Sequence, residues 1–301
     1  MNNPKVSLIV SVFNIEKYLS ICLDSISTQT FTDYECIIVD DYSTDNCPLI
    51  YNEYAQKDNR ILIIKNNKNI GLPLSRKKGL DISKGEFILF IDGDDWIEKD
   101  MIEKLYQKAI HNNYDITVCD YYYEKNGIRK LIRQDFSSFD KITIIKKILS
   151  IKIKTVVWNK LVKKDLYLLV DFPEYSRGED YVITLQNIFN AKNIGYVNIP
   201  LYHYRYNAQS LSNNKELSII GRIEENKNWC KVVDLLKERY TDIKIFEPEL
   251  SKHINNFKEI YFLDDNLKNI NELFELYPES NFIKCRILII IKSILRKILF
   301  K

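Results

Sequence analysis

The sequence predicts an α/β fold, a mostly parallel sheet with helices on both faces, followed by a mainly helical C-terminal region. Three observations carry this. Four short apolar runs near the N-terminus are continuous rather than alternating, the pattern of strands buried on both faces. The segments between them have helical periodicity or cap residues and short connections, giving β-α-β-α-β-α-β. Three of the runs end in polar or acidic clusters, and open α/β sheets bind ligands outside the carboxyl ends of their strands.

The elements follow in order. Residues 5–12 (KVSLIVSV) are a β-branched apolar run between Pro4 and Asn14 and read as a buried strand. In residues 16–29, Leu19, Cys22, Leu23 and Ile26 recur at the i, i+3, i+4, i+7 spacing of an amphipathic helix. Residues 36–39 (CIIV) are a second strand ending in Asp40 and Asp41; Ser43, Thr44 and Asp45 offer caps for a helix near 46–57. A third strand at 60–65 (RILIIK) leads to a helix over 72–83, set between Gly71 and Gly85. The fourth strand, 87–91, ends in Asp92, Asp94 and Asp95; a helix at 99–112 and a strand at 115–120 come next. Beyond 120 the pattern changes. A short helix at 139–150 precedes the segment VVWNKLVKKDL (156–166), a polar loop at 174–180, a helix at 180–191 and a strand at 195–206 with the exit YHYRYNAQS. From about 216 onward the chain reads as helical.

Composition bounds the function. A chain of 301 residues with 46% hydrophobic and 28% charged residues is an ordinary globular balance. The net charge of +3 offers no overall electrostatic case for nucleic acid. None of the six cysteines forms a CxxC pair, and most sit in apolar segments, so they read as free thiols in a reducing cytosol. No basic region precedes a cleavable apolar segment, and no uncharged apolar stretch is long enough to span a bilayer. The 20 tyrosines suit a sugar-binding surface, although scattered core and rim positions account for them as well.

The chemistry concentrates at the strand ends. Asp92-Gly93-Asp94 lets two carboxylates reach one divalent cation or its waters, and Mg²⁺-like ions take one or two carboxylates plus substrate phosphates. Gly93 permits close backbone approach or a positive φ. A solvated turn capping the next helix is the plain alternative, and the end of a buried strand favours the cation. Asp40-Asp41 is placed to accept hydrogen bonds from a ribose or a base. Neither GxGxxG nor GxxxxGK[ST] occurs, which argues against dinucleotide and P-loop chemistry.

These residues resemble a known family. PKVSLIVSVFNIEKYLSICLDSISTQTFTDYECIIVDDYSTDN, then NIGLPLSRKKGLDISKGEFILFIDGDDW, look like the nucleotide-sugar half of family 2 glycosyltransferases with the GT-A fold. The resemblance is dense from residue 4 to about 120 and looser through WNKLVKKDL and RGED to YHYRYNAQS. It implies a catalytic domain over 1–215, with a nucleotide-sugar half (1–100) and an acceptor half (101–215), and a helical region over 216–301. By position, Ser11, Phe13 and Asn14 would flank the base, Asp41 would meet the uracil N–H and Asp40 would support that loop. Arg76 would lie near the phosphates. Asp92 and Gly93 would meet the ribose or metal, and Asp94 would be the main ligand of Mn²⁺ or Mg²⁺. Asp180, or its neighbour Glu179, would be the general base, and Trp158 and Asp95 would face the acceptor. Arg205 would clamp the diphosphate, and His203 would contact metal or phosphate. Phe13 stands where an aromatic hydroxyl is common, and Arg76-Lys77-Lys78 where Arg-Asn is usual.

The implied activity is inverting transfer from a UDP-sugar to a glycan acceptor in bacterial capsule, O-antigen or other surface polysaccharide synthesis. A nucleotidyltransferase on a related sheet, or a non-catalytic nucleotide- or glycan-binding protein, are the alternatives. The tail, 281–301, carries six basic and no acidic residues, with Ile283, Ile287, Ile290, Ile291, Ile294 and Ile298 on one helical face. It suits an anionic membrane surface and a lipid-linked acceptor at the inner face of the cell membrane. Core packing, or a helix joining two copies of the chain, would use the same face.

Overall fold

A computed structural model describes residues 3–208, 210 and 218–250; the tail at 281–301 lies outside the described residues. The chain divides into two units, Met1–Leu235 and Leu236–Lys301. In the first, the four expected strands are β1 (Val6–Val12), β2 (Tyr34–Asp40), β3 (Ile61–Lys65) and β4 (Phe87–Asp92). The helices between them are α1 (Glu16–Ser27), α2 (Cys47–Lys57) and α3 (Leu72–Ile82). Asp45 accepts the Cys47 N–H at 3.0 Å at the start of α2. The sheet continues through β5 (Trp96–Ile97), β6 (Ile116–Lys125), β7 (Ile128–Ile132), β8 (Lys160–Lys163) and β9 (Ile194–Arg205). The helices α4 (Met101–Asn112), α5 (Lys141–Leu149), α6 (Lys164–Tyr167), α7 (Glu179–Asn190) and α8 (Ser218–Arg239) complete the described elements longer than one turn. In the second unit a 3-10 turn, Ile243–Phe246, packs Phe246 edge-on against Tyr240.

The strand order is β3-β2-β1-β4-β8-β6-β9-β5, with β7 paired to β6. The first four strands are parallel, as their continuous apolar runs imply, but β3 lies at the sheet edge and leaves Leu62 exposed, so it is not buried on both faces. Val6, Leu8, Val10 and Val12 join Leu19, Cys22, Leu23 and Ile26 of α1 in one core on one face of the sheet. The alternate residues meet α3 on the other face. Gly79 makes that contact possible, because a Cβ there would lie 2.4 Å from Ile9 Cγ2. Beyond β4 the sheet is mixed. β8 runs antiparallel to β4 and to β6, which restores the original direction in β6 and in β9 beside it. The short strands β5, β7 and β8 carry too few residues for periodicity to show them. Because β8 reverses between β4 and β6, the carboxyl ends of β1, β2, β4, β6 and β9 share one edge.

Substituting Gly79→Val should lower the urea midpoint, with a loss of about 1–3 kcal/mol from overpacking α3 on Ile9 and Val39. An unchanged midpoint would mean that α3 is free to retreat from the sheet.

Candidate active site

The sheet register sets the crevice. Ser11 pairs with Asp92 and Val12 with Asp40, so three chain segments reach one edge on neighbouring strands. Asp40 is buried, accepting the Ser43 N–H at 2.8 Å and the Tyr51 hydroxyl at 2.9 Å. Asp41 accepts the Ile70 N–H at 2.8 Å, the Asn66 amide at 2.9 Å and the Gly71 N–H at 2.9 Å. These two carboxylates therefore fasten the loops at 42–45 and 66–71. Asn14, at φ 51°, accepts the Thr44 N–H at 2.8 Å and closes the same corner. Phe13 projects beside it, 44% exposed, and the Ser11 hydroxyl is buried without a protein partner among the described residues.

The Asp92–Asp95 turn separates three carboxylates by environment. Gly93 is needed for close approach rather than for positive φ: its N–H donates to Ser11 O at 3.1 Å, and a Cβ would lie 2.5 Å from Ile15 Cδ1. Asp95 is fully buried and latched to β9, accepting the Tyr202 hydroxyl at 2.8 Å and the Arg205 N–H at 2.7 Å. Asp94 is half-buried and accepts the Asn207 amide at 3.1 Å. Burial, then the charge of Asp92, pushes its carboxyl from 3.8 up to about 6. Arg205 donates Nε to Asp94 O at 3.0 Å, with its guanidinium 5.1 Å from the Tyr18 ring centre and 4.4 Å from that of Trp96. His203 lies apart from this turn chemically. Its Nδ1 faces Glu124 and its Nε2 faces Glu98, each at 2.9 Å, and its ring stacks on Trp96. Two carboxylates thus occupy both nitrogens that a metal or phosphate would use.

Across the crevice stands the acidic start of α7. Arg76, fully buried on α3, bridges the two sides. One terminal nitrogen donates to Asp92 at 2.7 Å; the other donates to Glu179 at 2.7 Å and reaches Asp180 at 3.4 Å. The two α7 carboxylates are unequal. Glu179 keeps 6% of its side chain exposed and Asp180 keeps 20%. Burial raises the proton affinity of both, and Arg76 opposes it. Lys160 lies close enough to favour the charged form of Asp180, while its own burial lowers its amine to about 7. That amine donates to Lys154 O, Val156 O and Asn159 Oδ1 at 2.8, 2.6 and 2.8 Å, which shapes the 154–159 turn.

Asp180, Arg76 and Asp92 line a cavity of about 370 Å³, to which Tyr121, Trp158, Tyr181 and Tyr204 contribute rings. Trp158 is buried, stacked on Tyr202 at 4.1 Å and edge-on to Tyr121 at 4.7 Å. The loop leading to Asp180 is held from α8. Buried Asn228 donates to Tyr175 O at 2.9 Å and Arg177 O at 2.8 Å, and Glu225 pairs with Arg177 at 3.3 Å. Gly178 then turns the chain into α7 at φ 79°.

The donor set at the turn fits a hard divalent cation. Asp94 and Asp92 repel each other; among the described residues Asp94 has no cationic side-chain partner within hydrogen-bonding reach, and each keeps an accessible edge. Among the described residues no cluster of three or more His, Cys, Asp or Glu could hold an ion alone, so substrate and water oxygens would complete the shell. Sequence reasoning passed over Asn66, Lys160, Tyr202, Asn207 and Asn228. Lys160, Tyr202 and Asn207 sat in stretches already singled out, WNK and YHYRYN; Asn66 and Asn228 carry no local signal.

The glycosyl transferase family 2 model matches residues 7–167. EpsH of Bacillus subtilis (strain 168) is 38% identical over 220 residues, which is 70% of this chain; the chain spans 63% of the length of EpsH. Among solved structures, Staphylococcus aureus TarS 1–349 in complex with UDP-GlcNAc superposes with a TM-score of 0.59 at 22% identity, covering 77% of this chain and 71% of that one. The Pyrobaculum calidifontis mannosyltransferase PcManGT, in complex with GDP-Man and Mn²⁺, has a TM-score of 0.55 at 16% identity, covering 98% and 81%. These two structural likenesses speak to the fold.

Arg76→Ala should cost about 3–5 kcal/mol in denaturant unfolding, because three carboxylates lose their buried cation. In metal-free buffer with chelator, Asp94→Asn should be more stable than the parent above pH 6, by about 1–3 kcal/mol. The native Asp94 pKa is raised, so the stability it contributes is present below pH 3.8 and lost as pH rises to about 6; the two proteins should converge on acidification. A pH-independent difference would contradict the burial of that carboxyl.

Proposed function

The chain belongs to glycosyltransferase family 2, and we propose that it is an inverting enzyme moving a sugar from a UDP-sugar to a hydroxyl of a glycan acceptor. The observation that carries this reading is Asp180, a partly exposed carboxylate in a cavity that also holds aromatic rings, held across Arg76 from Asp92. The acceptor hydroxyl enters that cavity beside the partly exposed Tyr181 and Tyr204, whose rings suit a sugar face, with Trp158 and Tyr121 buried behind them. Asp180 takes the hydroxyl proton as the acceptor oxygen bonds to the anomeric carbon. The bond to the diphosphate breaks on the opposite face, UDP leaves with the electron pair, and configuration inverts. A raised proton affinity makes Asp180 a better base than an exposed aspartate. Glu179, more buried and held by Arg76, serves to position it.

The uridine lies at the β1 and β2 ends, among Ser11, Phe13, Asn14 and Asp41, with Asp40 supporting the loop. Arg205, placed beside Asp94, meets the diphosphate, for which a guanidinium fork is suited. Asp94 and Asp92 would hold Mn²⁺ or Mg²⁺, which offsets charge growing on the leaving diphosphate. The acceptor is a growing bacterial surface glycan carried on a lipid. Among the described residues no helix is long and apolar enough to cross a membrane, which is compatible with peripheral attachment.

Calorimetry with a panel of nucleotide sugars, with and without Mn²⁺, tests the donor. A UDP-sugar should bind more tightly with metal, and equal binding of all donors would sink the reading. Asp180→Asn should cut UDP release by about a hundredfold or more while leaving UDP affinity near the parent value. The parent rate should fall as pH drops through the raised Asp180 value, because the base is then protonated.

A further inference from the structure

Strand β6 runs on past the body of the sheet. From Tyr121 to Lys125 it pairs with β7 in a hairpin closed by Asn126 and Gly127, both at positive φ (50° and 76°). β6 is antiparallel to β8, which is antiparallel to β4, so the hairpin projects from the edge that carries Asp92 and Asp94. The same β6–β9 ribbon supplies Tyr121 and Tyr204 to the wall of the Asp180 cavity. The hairpin therefore stands at the mouth of the site.

Its surface is both apolar and cationic. Ile128 is 71% exposed and Leu131 37%, and their positions along the strand put them on opposite faces of the ribbon. Residues 124–133 hold four cations against one carboxylate. That carboxylate, Glu124, is taken by Arg129 at 2.7 Å and by His203. Lys130 has no carboxylate partner among the described residues, nor has Lys154, which it repels. Lys125 rests on the Tyr206 ring at 4.2 Å, and Arg133 reaches buried Asp120 only at 4.0 Å. Basic residues on an edge strand also guard against strand pairing. That role does not account for two large aliphatic side chains exposed on a protruding ribbon.

We infer that the β6–β7 hairpin docks tip-first on an anionic bilayer, with Ile128 beside the turn entering the interface and Lys125, Lys130, Arg133 and Lys154 meeting lipid phosphates. Apolar side chains that insert beside cations facing headgroups are what such an interface selects. A soluble anionic polymer would satisfy the cations and leave Ile128 without a use. Docked this way, the crevice opens toward the membrane surface, where a lipid-carried acceptor would present its sugar. That last consequence rests on the proposed acceptor; bilayer binding itself does not.

The test uses the full chain with vesicles of phosphatidylglycerol and phosphatidylcholine, or of phosphatidylcholine alone. Hydrogen exchange is read by mass spectrometry on peptides covering 121–133, alongside co-sedimentation. Anionic vesicles should protect these peptides and neutral ones should not. Lys130→Glu with Arg133→Glu should weaken vesicle binding about tenfold or more, and Ile128→Asp should weaken it as well. Unchanged exchange in 121–133 overturns the inference even if the protein sediments, because contact through another segment would leave these peptides unprotected. Equal protection by soluble dextran sulfate, with Ile128→Asp binding vesicles as well as the parent, overturns it in favour of a polyanion surface. No donor is needed, so failure here leaves the UDP-sugar result standing, and the reverse holds.

Discussion

One buried guanidinium organises the crevice. Arg76 lies inside the protein with carboxylates from β4 and from α7 on its two terminal nitrogens. Desolvating a cation is costly, and so is desolvating three carboxylates; only together do they form an arrangement the interior tolerates. The consequence is geometric as well as energetic. Asp92, at the end of β4, and Asp180, at the start of α7, are held by opposite ends of a rigid planar group. Their separation is set by the guanidinium and not by two flexible loops. The surrounding carboxylates keep Arg76 charged despite its burial.

Around that centre the acidic residues divide into those that build and those left free to act. Asp40, Asp41 and Asp95 use their oxygens on backbone N–H groups and buried hydroxyls, so their charge is spent on holding loops. Asp94, Asp92 and Asp180 retain accessible edges. Rigid acidic loops and a short list of available carboxylates are two sides of one design: preorganised acceptors are useful only where their neighbours cannot move. The α7 side is secured differently, by Lys160 inside the 154–159 turn and by Asn228 from α8.

The alternation of β8 explains how a chain with two differently patterned halves makes a single functional edge. Without the reversal between β4 and β6, the aromatic ribbon of β6 and β9 would point away from the Asp92–Asp95 turn. Tyr202 and Arg205 of β9 can latch Asp95 because the two strand ends face the same way.

Much of this was legible in residue order. The runs KVSLIVSV, CIIV and FILFI are buried on both faces because continuous apolar strands have no polar side to expose, and that alone implied a covered parallel sheet with its chemistry at the carboxyl ends. The spacing of α1 was equally direct. The strands β5, β7 and β8 were not, since they exist through pairing with longer partners. The individual fates of the carboxylates were hidden too. IDGDDW shows three aspartates as equals; Tyr202 and Arg205, more than a hundred residues away, make Asp95 a buried latch, while Asn207 takes only one oxygen of half-buried Asp94. His203 looked like a ligand until Glu98 and Glu124 closed on both its nitrogens. Sequence by itself determined which backbone is buried and where charge must gather, because periodicity and burial are local properties. Only the tertiary structure decided which charge meets which, because hydrogen bonds and desolvation depend on neighbours that the chain brings in from far away.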